Sequence, residues 1–208
     1  MIKAAVLGSP ISHSLSPLLH RTAYEHMGLS ASYEAIEVKA DGLAVFMGER
    51  DETWTGFSLT MPLKEEVIAY AVHVDDLAKR INSANTLFRK AGEWHATSTD
   101  VIGFTNALKM HNVDVKGHVV ILGAGATARA AAAACDNSNT QITVINRSLA
   151  RVQAMSDAVI ESELSFRNWD DLSVLGDADL VISTAPAGVT DSIDLPAKTS
   201  VPSVDALY

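Results

Sequence analysis

Two ionisable residues in the first half of the chain stand at predicted junctions between elements, where side chains can reach a ligand. Lys64 stands where a helix is expected to begin, and a positive charge is unfavourable at the positive end of a helix dipole. Asp100 stands just before another apolar, helix-like stretch. An amine and a carboxylate can each donate or accept a proton, so both residues are candidates for chemistry. Each alone also has an ordinary explanation, since most lysines are simply solvated and aspartate is a common helix N-cap.

A pair of serines offers a different kind of contact. Ser14 and Ser16 lie two residues apart, within the segment Ser12–Pro17 that follows the first predicted strand. In an extended backbone both hydroxyls would point to one side, where they would suit a polyol or a carboxylate ligand. The alternative is that Ser16 merely caps a helix whose first residue is Pro17, and the two roles are compatible.

A glycine pattern in the second half indicates a dinucleotide site. The apolar run Val119–Leu122 leads into the letters G-A-G-A-T-A over residues 123–128. In this form of the fingerprint Gly123 permits the tight turn and Gly125 lets backbone amides approach a pyrophosphate. Ala128 lets the helix pack close to the strand, and the helix N-terminus favours the phosphates. An ordinary glycine-rich turn is the alternative, but the strand before the pattern and the helix after it favour cofactor binding.

The next predicted strand, Gln141–Ile145, indicates which nicotinamide cofactor binds. NAD-binding proteins usually carry an acidic residue about 20 residues beyond the glycines, which bonds the ribose 2′-hydroxyl. This chain instead has Asn146, Arg147 and Ser148 there. Arg147 can meet the charge of a 2′-phosphate, and Ser148 and Arg151 can add donors. A surface salt bridge would explain Arg147 alone but not the trio, so the pattern favours NADP over NAD.

These residues need an α/β scaffold to position them. Strands and helices alternate along the chain, which predicts parallel sheets with crossover helices in both halves. The strands expected in the first half are Ile2–Leu7, Ser32–Val38, Gly56–Leu59, Ala84–Arg89 and Trp94–Thr97. Its helices should begin near Pro17, Asp41, Lys64 and Asp75.

The second half, residues 101–208, shows the same alternation. The elements expected there are helices at Val101–His111, at Ala126–Cys135 and from Ser148, with strands at Val119–Leu122, Gln141–Ile145, Leu180–Ser183 and Val201–Val204. Strand C-terminal ends face the ligand crevice in such sheets, so Thr184 could lie near the nicotinamide ribose. A plain turn at the strand end is equally compatible with that local sequence.

Composition excludes several other classes of protein. The chain has 208 residues, 48% of them hydrophobic, which is enough for a real core and argues against disorder. A net charge of −9, with scattered basic residues, argues against nucleic acid and anionic membranes as partners. A single cysteine, Cys135, fits a reducing compartment. Neither a signal peptide nor an apolar run of about 18 residues is present, so we expect a cytoplasmic protein.

Taken together, the motifs resemble those of the shikimate dehydrogenase family, in the family's order and along the whole chain. Its patterns S-x-S-x-S-P, N-V-T-x-P-x-K, A-x-N-T, N-T-D-x-x-G, G-A-G-G-A and N-R-T correspond to Ser12–Pro17, Ser58–Lys64, Ser83–Thr86, Ser98–Gly103, Gly123–Thr127 and Asn146–Ser148. Three positions depart from the pattern. Ser58 and Leu59 replace a common Asn-Val, and Ser98 replaces a common Asn before Thr99.

The resemblance implies a fold, an activity and a set of site residues. It implies a substrate domain over residues 1–100 and a Rossmann-like NADP-binding domain over residues 101–208. The implied activity is the NADPH-linked reduction of 3-dehydroshikimate to shikimate in aromatic amino-acid (chorismate) biosynthesis, with Lys64 and Asp100 as the catalytic pair. The implied substrate-binding residues are Ser14, Ser16, Thr60, Lys64, Asn85, Asp100 and Tyr208. The implied cofactor-binding residues are Gly123, Ala124, Gly125, Ala126, Thr127, Asn146, Arg147, Ser148, Arg151, Thr184 and Ala206.

The chemistry agrees with that assignment. Hydride arriving at a ketone carbon leaves negative charge on the oxygen, which needs a proton or a nearby cation. Lys64 can donate a hydrogen bond and charge, and Asp100 can hold the ammonium in place. No metal is needed for this chemistry, and the seven histidines show no ligand spacing such as H-E-x-x-H, so none is expected.

Several alternatives stay open at this point. One is a quinate/shikimate dehydrogenase that prefers NAD, and another is a non-catalytic paralogue that keeps the fold. Either a monomer or a homodimer is compatible with the sequence. The family continues beyond a tyrosine that Tyr208 matches, so we expect a further C-terminal segment to complete the fold.

Overall fold

The structure is a computed structural model, which describes residues 1–186, 188–193 and 203–205. The chain divides into two units, Met1–Thr99 and Asp100–Tyr208. Within the described part, no helix combines the length and the apolar character needed to cross a membrane.

A six-stranded sheet forms the centre of the first unit. Its strands are β1 (Ile2–Gly8), β2 (Ala31–Glu37), β3 (Gly56–Leu59), β4 (His73–Val74), β5 (Thr86–Lys90) and β6 (Glu93–Thr97). Their order across the sheet is β2-β1-β3-β5-β6-β4. One face of the sheet carries the larger core, in which Leu7, Phe57 and Leu87 are fully or almost fully buried.

The prediction of a parallel sheet in this half was wrong. Strands β1, β2 and β3 are parallel, but β5 runs antiparallel to both β3 and β6. The cause is the short connection between β5 and β6, where Ala91 and Gly92 both have positive φ, 53° and 86°. Two such residues make the tight turn of a β-hairpin, so no crossover helix is needed there.

The helices of the first unit are short, and three of the four begin one or two residues after the expected positions. They are α1 (Ser16–His26), α2 (Leu43–Gly48) and α3 (Asp76–Arg80), with a 3-10 helix at Glu66–Tyr70. Leu15, not Ser16, is the N-cap of α1, and it makes no side-chain cap bond. Lys64 lies in the turns that precede the 3-10 helix rather than at a helix start.

The second unit has the expected doubly wound arrangement. Its strands are β7 (Gly117–Leu122), β8 (Thr140–Asn146), β9 (Glu163–Asn168), β10 (Leu180–Ser183) and β11 (Ser203–Asp205). All pairs in it are parallel, in the order β11-β10-β7-β8-β9. The helices are α4 (Asp100–Met110), α5 (Ala126–Cys135) and α6 (Val152–Ala158), with 3-10 helices at Leu149–Arg151 and Ser173–Asp177. The α/β fold class is therefore confirmed.

Small side chains let α5 pack tightly against this sheet. Ala128, Ala131, Ala132 and Cys135 are fully buried, in the same core as strand residues of β7, β8 and β10. Burial of the Cys135 thiol raises its pKa to about 12, so the thiol stays protonated at neutral pH. Cys135 is therefore a core residue.

Candidate functional site

One edge of the first sheet collects the candidate substrate residues. Strands β1 and β3 end together there, with Leu7 paired to Leu59. Strand β5 begins at the same edge because it runs antiparallel, and β6 ends beside it, with Thr86 paired to Thr97. Residues that immediately follow β1, β3 and β6 or precede β5 therefore share this edge. Thr60 and Asn85 are two of them.

Thr60 is held close to the end of β1. Its backbone N–H donates to the Leu7 carbonyl over 2.9 Å. A Cβ built on Gly8 would overlap the Thr60 side chain and would lie 2.8 Å from the Met61 carbonyl oxygen. Only glycine at position 8 leaves room for this approach, so the sequence of β1 helps to set the position of Thr60.

Lys64 is buried, with 6% of its surface exposed. Its carbonyl accepts a 2.8 Å hydrogen bond from the Ala84 N–H, and the Leu63 N–H donates to the Thr60 carbonyl over 2.8 Å. The turn from Thr60 to Lys64 is thereby tied to the residue that precedes Asn85. A buried lysine is rare and costly unless its ammonium group has partners, so the ordinary explanation of a solvated lysine fails here.

Asn85 is held in place by two hydrogen bonds to Thr99. Its amide nitrogen donates to the Thr99 hydroxyl over 2.8 Å, and its amide oxygen accepts from the Thr99 N–H over 3.1 Å. Its carbonyl also accepts from the Leu59 N–H over 2.8 Å. The start of β5 is thus fastened to the ends of β3 and β6. Sequence reasoning missed Thr99, because its partner lies 14 residues away.

Asp100 follows Thr99 directly and is the first residue of α4. Its carboxylate lies in the first helical turn, where the partial positive charge of the helix stabilises an anion. It is half-buried. The helix-capping explanation therefore needs a small correction, since Asp100 is the first helical residue and not the residue before the helix.

The serine pair is not arranged as expected. Leu15, between the two serines, has a helical backbone with φ −84° and ψ −6°, so the segment is not extended. The Ser14 N–H donates to the Ile11 carbonyl over 3.0 Å and closes a turn. The Ser14 hydroxyl accepts from the Ser16 N–H over 3.3 Å. Both serines are half-buried at the start of α1, and it is Ser14 whose side chain bonds a backbone amide there.

The glycine fingerprint of the second unit forms a tight turn that leads into the N-terminus of α5. Gly123 has φ +109°, and a Cβ there would lie 2.7 Å from the Thr184 hydroxyl oxygen. That hydroxyl donates to the Leu122 carbonyl over 2.9 Å. Gly125 precedes α5, and a Cβ added to it would meet no atom of the described residues within 4 Å. The space beside Gly125, at the N-terminus of α5, is therefore open among the described residues.

The last residue of β8 and the residues after it form a polar turn. The Asn146 amide donates to the Ser148 carbonyl over 2.6 Å, and the Ser148 hydroxyl accepts from the Ala150 N–H over 3.2 Å. The guanidinium of Arg147 lies over the ring of Trp169, 5.8 Å from its centroid. Trp169 was missed by sequence reasoning, since it follows β9, a strand that was not predicted.

Arg147, Ser148 and Arg151 are exposed. Their side chains are therefore accessible to a ligand at the carboxyl end of β8, as an NADP site requires. Two of the predicted site residues, Ala206 and Tyr208, lie outside the described residues.

Both halves of the chain match known families. Residues 6–87 match the shikimate dehydrogenase substrate binding domain, and residues 106–190 match shikimate / quinate 5-dehydrogenase. A shikimate dehydrogenase (NADP(+)) of Ignicoccus hospitalis is 36% identical over 198 residues, which are 95% of this chain and 73% of that protein.

Solved structures of shikimate dehydrogenases are similar to this chain. The shikimate dehydrogenase of Mycobacterium tuberculosis has a TM-score of 0.81 and 36% identity, over 91% of this chain and 74% of that one. The shikimate 5-dehydrogenase of Thermus thermophilus, in complex with NADP(H) and shikimate, has a TM-score of 0.77 and 34% identity, over 89% of this chain and 69% of that one. The chain belongs to the shikimate dehydrogenase family.

Proposed function

We propose that this chain catalyses the reversible, NADPH-dependent reduction of 3-dehydroshikimate to shikimate. The observation that carries the proposal is the burial of Lys64 at the sheet edge that also holds Thr60 and Asn85. A cationic side chain removed from water, with hydroxyl and amide groups at the same edge, suits a polyhydroxylated ketone whose oxygen becomes negative during reduction. The unit Met1–Thr99 would bind the substrate, and the unit Asp100–Tyr208 would bind NADP.

NADPH, when bound, would supply the hydride to the substrate's ketone carbon. Lys64 would stabilise the growing negative charge on the carbonyl oxygen and hand it a proton. Asp100 would orient the Lys64 ammonium and relay protons to it. In the direction of shikimate oxidation, the same pair would take the hydroxyl proton away.

The other substrate contacts follow from the polar groups at this edge. Ser14 and Ser16, at the start of α1, would bind the substrate carboxylate. Thr60 and Asn85 would hydrogen-bond the ring hydroxyls. The Asn85 amide is already oriented by Thr99, so it can serve a substrate hydroxyl without losing the freedom of a mobile side chain.

The residues that would hold the cofactor fit NADP. The open space beside Gly125 and the amides of α5 suit the pyrophosphate, and no carboxylate stands at residues 146–148 to bind a free ribose 2′-hydroxyl. Arg147, exposed and supported by Trp169, would pair with the 2′-phosphate. The rival function, a quinate/shikimate dehydrogenase preferring NAD, would require Arg147 to be dispensable.

Absorbance at the reduced-cofactor band tests the proposal. Purified chain mixed with shikimate and NADP should form NADPH, and kcat/KM should be higher with NADPH than with NADH in the reverse reaction. Quinate, offered at the same concentration, should be the poorer substrate. A preference for NADH would contradict the cofactor assignment, and an absence of turnover with both substrates would favour a non-catalytic paralogue. A cytoplasmic location and a monomeric or homodimeric state remain predictions.

A further inference from the structure

Three side chains with metal-binding atoms converge at the β4 side of the first sheet. His73 is on β4, and Glu93 and His95 are on β6. Strand β4 pairs parallel to β6 with His73 opposite His95. Glu93 precedes His95 by two residues, so the two side chains lie on the same face of the strand. Strand pairing therefore brings together residues that are 20 and more positions apart, which no local spacing rule would detect.

The potential ligand atoms of these residues are already close. One ligand atom from each of the three residues lies within 4.8 Å of the other two. The His73 Nε2 and Glu93 Oε2 atoms are 3.0 Å apart, and the two imidazole rings stack with centroids 4.5 Å apart. Ligand atoms around a tetrahedral zinc ion, with bonds of about 2.0 Å, lie roughly 3.3 Å from one another. To bind one ion, the two imidazole rings would have to leave their stacked arrangement by side-chain rotation, so that a nitrogen atom of each faces the same point.

The three side chains differ in their exposure to solvent: His95 is packed against a neighbour, whereas His73 and Glu93 are accessible. His95 is half-buried, and its ring stacks against Phe88 at 5.4 Å between centroids. The side chains of His73 and Glu93 keep 56% and 54% of their surface exposed. Lys90 is paired with Glu93 across the hairpin. Its positive charge would compete with a metal ion for the Glu93 carboxylate and would lower the affinity of the site.

We propose that His73, Glu93 and His95 form a binding site for a divalent transition metal ion, with Zn²⁺ as the best match. Two imidazoles and one carboxylate are a zinc ligand set, whereas Mg²⁺ and Ca²⁺ prefer oxygen ligands only. The ion would link the two-residue edge strand β4 to β6 and so stabilise the edge of the sheet.

This site is separate from the proposed substrate residues. Glu93 lies at the hairpin end of β6, whereas Thr99 follows the opposite end of that strand. Zinc binding is therefore expected to change stability and not the chemistry of reduction. The proposal does not rest on the proposed function.

Calorimetric titration of Zn²⁺ into the full chain tests the proposal, after removal of any affinity tag and treatment with a chelator. The wild type should show one saturable site. His73→Ala and Glu93→Gln should each weaken binding tenfold or more. His26→Ala, which removes an exposed histidine at the end of α1, should leave the affinity unchanged.

A second measurement guards against a variant that does not fold. The melting temperature of the wild type should rise with Zn²⁺ and not with Mg²⁺, and the rise should disappear in His73→Ala, whose metal-free melting temperature should match the wild type. His95→Gln should behave in the same way as His73→Ala. The proposal is overturned if the wild type shows no saturable zinc binding, or if His73→Ala binds zinc as tightly as His26→Ala does.

Discussion

Asn85 and Thr99 bond each other twice, amide to hydroxyl over 2.8 Å and backbone N–H to amide oxygen over 3.1 Å. The pair fastens the start of β5 to the residue after β6. Because Asp100 is the next residue of the chain, the same pair holds the point from which the proposed proton relay begins. The hydrogen bonds between Asn85 and Thr99 thus help to position Asp100, which takes part in neither of them.

We expect Thr99→Val to lower kcat/KM for shikimate about five- to tenfold, with KM rising as well as kcat falling, because Asn85 would bind a substrate hydroxyl and the same pair positions Asp100. Valine keeps the shape of threonine but removes the hydroxyl that orients the Asn85 amide, and one such hydrogen bond is worth about 1 kcal/mol. Steady-state kinetics check this, with Thr99→Ser expected to restore most of the activity. Thr105→Val is the matched control, since the Thr105 hydroxyl only bonds the Val101 carbonyl within α4. Equal losses in both valine variants would contradict a positioning role for Thr99.

The two glycines of the fingerprint should respond differently to alanine. Gly123→Ala forces a side chain into φ +109° and against Thr184, so it should destabilise the protein by at least about 1–2 kcal/mol. Gly125→Ala has φ −77° and meets no described atom, so its melting temperature should stay near that of the wild type. Its NADPH affinity should nevertheless fall, because the added methyl occupies the space proposed for pyrophosphate.

Thermal melting and a fluorescence titration with NADPH separate these two effects. Unchanged NADPH affinity in a folded Gly125→Ala variant would argue against pyrophosphate binding at the α5 N-terminus.

Arg147→Ala should raise KM for NADPH by roughly 10- to 100-fold, the cost of losing hydrogen bonds to a charged group. KM for NADH should change little, since NADH has no 2′-phosphate. Trp169→Ala should show a smaller effect in the same direction, because the ring supports the guanidinium at 5.8 Å. Arg167→Ala is the control, as this exposed arginine pairs with Asp171 at 3.6 Å. A similar rise in KM for NADH and for NADPH in Arg147→Ala would contradict the proposed contact between Arg147 and the 2′-phosphate.

Asp136 should make the free energy of unfolding depend on pH under acidic conditions. Burial of its carboxyl raises the pKa, but hydrogen bonds from the backbone amides of Ile160, Glu161 and Ser162, at 2.8 to 2.9 Å, outweigh burial and lower it. The folded pKa is therefore below the ordinary value of 3.8. The stabilisation is fully present above that value and is lost as the pH falls through the folded pKa.

Asp136→Ala should accordingly cost about 1–2 kcal/mol at pH 7, as for loss of a helix-cap carboxylate. The difference in the free energy of unfolding between this variant and the wild type should be the same at about pH 5 as at pH 7, and it should shrink below about pH 4. Urea unfolding at several pH values measures it, and Asp157→Ala, which removes a bond to Gln153, is the control. A difference that does not change between about pH 5 and about pH 3 would refute the account.

Local signals in the sequence were enough to predict the second unit's central elements. The strand before Gly123, the glycines and the helix after them are contiguous, so their pattern is visible within one short window. Strand β9 was not predicted, because it lies at the edge of the sheet and none of its residues is fully buried. Trp169, which follows β9 and contacts Arg147, was missed for the same reason.

The first unit was harder to predict, because its decisive contacts join distant residues. The turn from Thr60 to Lys64 is tied to Ala84, and the Asn85 amide is held by Thr99, 14 residues further along the chain. Antiparallel pairing in the hairpin was overlooked, although Gly92 lies in a connection too short for a crossover helix. The motifs that carry the proposed site residues were therefore visible in the sequence, whereas the hydrogen bonds that position those residues were not.

The central claim is that Lys64 transfers the proton, and the turnover of Lys64→Met with shikimate and NADP tests it most directly. Methionine keeps the buried apolar stem and removes only the ammonium. Lys79→Met, at an exposed lysine that pairs with Asp76, is the control. We predict that Lys64→Met lowers kcat by roughly a hundredfold or more, with KM for shikimate little changed and Lys79→Met like the wild type. Turnover of a folded Lys64→Met variant equal to that of the wild type would contradict the account.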